Sequence, residues 1–125
     1  MAEFQLIDLG EGNGGDGEVR DNFRDALRDL YARIQHVHEH RILTQQWLET
    51  AIWIRITHTV TELTGPIYFY DARDIAHHYG LVDDGGKTIK DDVQEPDEDI
   101  LLEAALLCAA QGTAKEYIEN LKAVA

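Results

Sequence analysis

The sequence predicts a mainly α fold, a small helical bundle of four to five helices behind a flexible Gly-rich N-terminal arm. Val19, Phe23, Leu27, Leu30, Ile34 and Val37 recur at steps of three and four, so in a helix they form one apolar seam. Residues 41–63 run without an internal Gly or Pro, which favours a helix of about 20 residues. LLEAALLCAA, from residue 101, is apolar almost all round, as a core helix is. The division that follows is an arm over residues 1–17 and a single helical domain over 18–125.

Residues 2–9, AEFQLIDL, alternate enough for a short strand or an extended arm. They lead into GEGNGGDG, where five of eight residues are glycine, a composition costly to order. In the seam helix that follows, Glu18 and Asp21 are placed to favour the dipole at its start. Residues 41–63 carry two patterns. Leu43, Trp47, Ala51, Ile54 and His58 suit a helix, while Ile52, Ile54, Ile56, His58 and Val60 alternate as in a strand. Gly65 and Pro66 are expected to end this element, and Asp71 to cap a helix that stops near Gly80. Residues 83–99 hold eight acids and two lysines and read as a surface loop. Pro96 suits the first turn of the next helix, Gln111-Gly112 its end, and Thr113 with Glu116 the start of a last helix to about Ala123.

At 125 residues the chain fits one domain. Asp and Glu number 24 against 11 Lys and Arg, a formal charge of −13, which disfavours direct nucleic-acid binding and leaves a basic protein surface as an open partner. A hydrophobic content of 44% argues against global disorder. The single Cys108 excludes an internal disulfide and suits inert packing. No window is apolar enough to span a membrane, and the basic-then-apolar layout of a signal peptide is missing, so synthesis in a cytoplasm is expected.

Gly10, Gly12 and Gly15 satisfy G-x-G-x-x-G, and Asp8, Gly10, Gly12 and Gly14 look like the first motif of methyltransferases that use S-adenosylmethionine. The helical pattern that follows does not suit a nucleotide-binding sheet, so no cofactor is expected. His36, His38 and His40, with His58, His77 and His78, offer metal-ligand spacing, but solvated or packed histidines explain them and no metal is assigned. The acid-rich loop does not fit a calcium-binding repeat. Trp47 and Trp53 are six apart, so one is expected in the core and the other at a contact. No nucleophile or Walker motif is present, and no enzymatic activity is expected.

LIDLGEGNGGDGEVRDNFRDALRDLY, residues 6–31, resembles a segment of tailed-bacteriophage virion proteins, in which an apolar stretch and a Gly/Asn/Asp-rich turn precede a helix ending in Leu-Tyr. The matching positions are Ile7, Gly10, Asn13, Gly15, Asp16, Gly17, Arg20, Asn22, Phe23, Leu30 and Tyr31. The resemblance implies a structural component of a tail, neck or capsid, made in the host cytoplasm and resident in the virion. Other virion proteins or further copies of itself are its expected partners, with no membrane and no direct nucleic acid. The interface residues expected on this reading are Phe4, Leu6 and Leu9 of the arm, with Phe23, Leu27, Leu30, Ile34 and Val37 of the seam. An acidic decoy that occupies a basic nucleic-acid-binding surface is the alternative, and a small ligand-binding protein using the glycine motif is third.

Overall fold

A computed structural model describes residues 1–8, 16–39, 52–83, 85 and 88–111. The strands are β1 (Ala2–Asp8), β2 (Val19–Arg20), β3 (Ile52–His58) and β4 (Leu63–Tyr68), and the helices are α1 (Phe23–Glu39), α2 (Phe69–His78) and α3 (Glu98–Gln111). The strands form one antiparallel sheet in the order β2-β1-β3-β4. A mainly α helical bundle is therefore overturned: the fold is mixed, helices on a sheet. The expected helix over 41–63 is replaced, in its described part, by β3, the β3–β4 turn and the start of β4. Residues 2–8 of the expected arm are an inner strand of the sheet. The glycines from Gly10 to Gly15 and the last helix from Thr113 lie outside the described residues.

The pairing register follows from Pro66. It pairs with Arg55 and has no N–H, so that pair does not exchange ladder bonds: the Pro66 C=O points to the open edge, and the Arg55 N–H and C=O point to β1. Alternation then directs Glu3, Gln5 and Ile7 of β1 towards Thr57, Arg55 and Trp53 of β3. The other edge of β1 is filled in turn. The Ala2 N–H donates to Glu98 Oε1 at 3.0 Å, the Leu6 C=O accepts from Gly17 N–H at 2.9 Å, and the Asp8 N–H donates to Asp16 Oδ1 at 3.3 Å. One edge is occupied and the other is interrupted by a proline, so strand addition to this sheet is disfavoured.

Even-numbered residues of β1 and β3 face the helices. Phe4, Leu6, Ile52, Ile54 and Ile56 join Phe23, Leu27 and Leu30 of α1, Ala72 and Ile75 of α2, and Leu101, Ala105 and Cys108 of α3 in one core. Phe4 and Phe23 meet edge to face, with centroids 6.1 Å apart, a geometry worth about 0.5–1.5 kcal/mol beyond burial. α1 starts later than its apolar pattern suggests because Asn22 caps it, its Oδ1 accepting the Asp25 N–H at 2.9 Å. Val19 is left in β2, exposed. α2 begins at Phe69, so Asp71 lies inside its first turn and is not its cap. Its end is as the sequence suggests. Gly80, at φ +69°, follows the last turn, with Gly80 N–H on the His77 C=O and Leu81 N–H on the Ala76 C=O, a Schellman closure.

The acid-rich segment is tied down. Asp91 pairs with Arg28, and Glu95 Oε1 accepts the Arg24 N–H at 2.7 Å, placing a carboxylate at the positive end of α1. α3 crosses β4 so closely that a Cβ on Gly65 would lie 3.0 Å from the backbone carbon and oxygen of Ala105. Gly65→Ala is expected to cost about 1–3 kcal/mol, because the obstacle is backbone and cannot swing aside. Urea unfolding measures it, and an unchanged midpoint would contradict the close approach.

Candidate interaction surface

The expected seam is inside the molecule. Phe23, Leu27 and Leu30 have no exposed surface, and Phe4 and Leu6 are each 2% exposed. Ile34 is partly buried against the same core. Phe4, Leu6, Phe23, Leu27 and Leu30 hold the chain's own helix to its own sheet and offer no surface to a partner in the folded state, and of the described seam residues of α1 only Ile34 keeps part of its surface. Leu9 and the side chain of Val37 lie outside the described residues.

His40 and the side chain of His38 lie outside the described residues, and the other four histidines are spread over α1, β3 and α2. His36 and His77 are exposed, His78 is half-buried, and His58 is buried with Nδ1 against Thr61, 2.9 Å from its hydroxyl oxygen. Among the described residues no group of three or more His, Cys, Asp or Glu is arranged to hold a metal. Asp8, the acid of the glycine motif, is buried and its Oδ2 lies 2.6 Å from Arg33 of α1. No described helix is long and apolar enough to cross a membrane.

Two buried groups have shifted protonation. Burial pushes the Tyr31 hydroxyl up to about 12. Burial, reinforced by the charge of the Asp71 carboxylate, whose Oδ2 accepts a hydrogen bond from the thiol at an Sγ···O distance of 3.2 Å, pushes the Cys108 thiol up from 9.0 to about 12. The thiol is held in its unreactive form. Its folded value is above its unfolded one, so its contribution to stability is whole below pH 9 and is lost as pH rises towards 12. At pH 8 Cys108 is expected to resist iodoacetamide in the native protein and to be alkylated in denaturant. Rapid alkylation of the native protein would contradict the Asp71 contact.

The sheet's other face has a different character. Across β1, β3 and β4 its rows are Ile7–Trp53–Tyr68, Gln5–Arg55–Pro66 and Glu3–Thr57–Thr64. Ile7 is buried, while the other eight are exposed or half-exposed. Trp53 and Tyr68 meet edge to face at 6.5 Å, and the Arg55 guanidinium lies 5.8 Å from the Trp53 ring centroid. The buried residues of all three described helices belong to the core on the opposite side. A tryptophan, a tyrosine and an arginine held together on a rigid sheet are the residue types that dominate protein contacts. The face also carries one acid and one base, Glu3 and Arg55, in a chain of net charge −13. Of the arm and seam residues expected at the interface, none of those described belongs to this outer face. Trp53 is half-exposed on this face, as one of the two tryptophans expected to divide between core and contact, and Trp47 lies outside the described residues. Arg55 and Tyr68 carry no sequence assignment, although the alternation of Trp53, Arg55 and Thr57 with Ile52, Ile54 and Ile56 is the signal for this face. No family model, curated protein or solved structure matches the chain.

Proposed function

We propose that this protein is a non-enzymatic structural component of a tailed-phage particle that works through protein–protein contacts with other virion proteins or with further copies of itself. The resemblance of residues 6–31 to virion proteins supports the setting. The observation that carries the binding role is the row of Trp53 and Tyr68 with Arg55 on the sheet face opposite the described helices. The contact surface therefore moves from the α1 seam to this face. Copies of a chain with charge −13 repel one another, so self-association should strengthen as salt screens them. An acidic decoy on a basic partner would weaken with salt instead.

Light scattering at several concentrations and salt levels tests the self-assembly form. A discrete oligomer is expected that Trp53→Ala weakens by about 2 kcal/mol, roughly 30-fold in Kd, with cooperative unfolding retained. A monomer under every condition, or an oligomer indifferent to Trp53→Ala, would contradict it.

A further inference from the structure

We draw no further inference here: the strongest candidate outside the sheet face, the first turn of α1 beside Arg24, already has its backbone N–H filled by Glu95 of this chain, and nothing in the structure points to an outside ligand there.

Discussion

Leu30→Asp is expected to abolish the folded state, with no assembly left to dissociate. Leu30 has no exposed surface and sits with Phe23 and Leu27 where α1 meets the sheet. Truncation to Ala at such a site costs about 2–5 kcal/mol through lost burial and the cavity left behind. Aspartate adds the cost of a carboxylate with no partner in an apolar core. A small domain has about 5–15 kcal/mol in total, so the charged variant should lose its cooperative transition while Leu30→Ala keeps a weakened one. Near-UV circular dichroism and urea titration of the two variants separate these outcomes. A Leu30→Asp variant with native-like unfolding would show that the seam faces outward.

Arg33→Met should be nearly as damaging, for an electrostatic reason. The Asp8 side chain is wholly buried and Arg33 is 17% exposed, with 2.6 Å between them. Removing the cation leaves a buried carboxylate without its guanidinium, a loss of about 3–5 kcal/mol. Asp8→Asn alone should cost less, since the amide is neutral and Arg33 can reach water. The double variant, Asp8→Asn with Arg33→Met, should recover much of the loss. Denaturant midpoints of the three variants supply the test. Additive losses would mean that the two side chains do not depend on each other.

The elements that were legible in the sequence are those whose signals are local. The seam of α1 is a run of three- and four-residue steps, and Gly80 marks the end of α2 because only a left-handed residue makes that closure easily. The sheet was hidden by competition between local rules. β3 alternates Ile52, Ile54 and Ile56 with Trp53, Arg55 and Thr57, yet it lies in a long stretch without Gly or Pro that also supports a helix. β4 contains Pro66, which argues against a strand until the strand is known to be at an edge. β1 alternates, but the neighbouring glycine run suggested an arm. Its place in the sheet depends on β3, some fifty residues away, and no local pattern reports such a pairing. The same holds for the fastenings: Asp8 reaches Arg33, Glu95 reaches Arg24 and Cys108 reaches Asp71, across separations of 25, 71 and 37 residues. The alternation within β3 marks one strand of the outer face, and the register supplies its neighbours, setting Trp53 beside Tyr68 and Arg55 beside Gln5.

Backbone amide hydrogen exchange on the intact chain tests most directly whether the N-terminus is a sheet strand. The register points the Gln5 and Ile7 amides of β1 at β3 and the Trp53 and Arg55 amides of β3 back at β1. All four should exchange slowly, at the level of global unfolding, alongside the core of α1. Fast exchange throughout residues 2–8, with protection continuous from 41 to 63, would restore the helical bundle with its free arm and contradict the sheet.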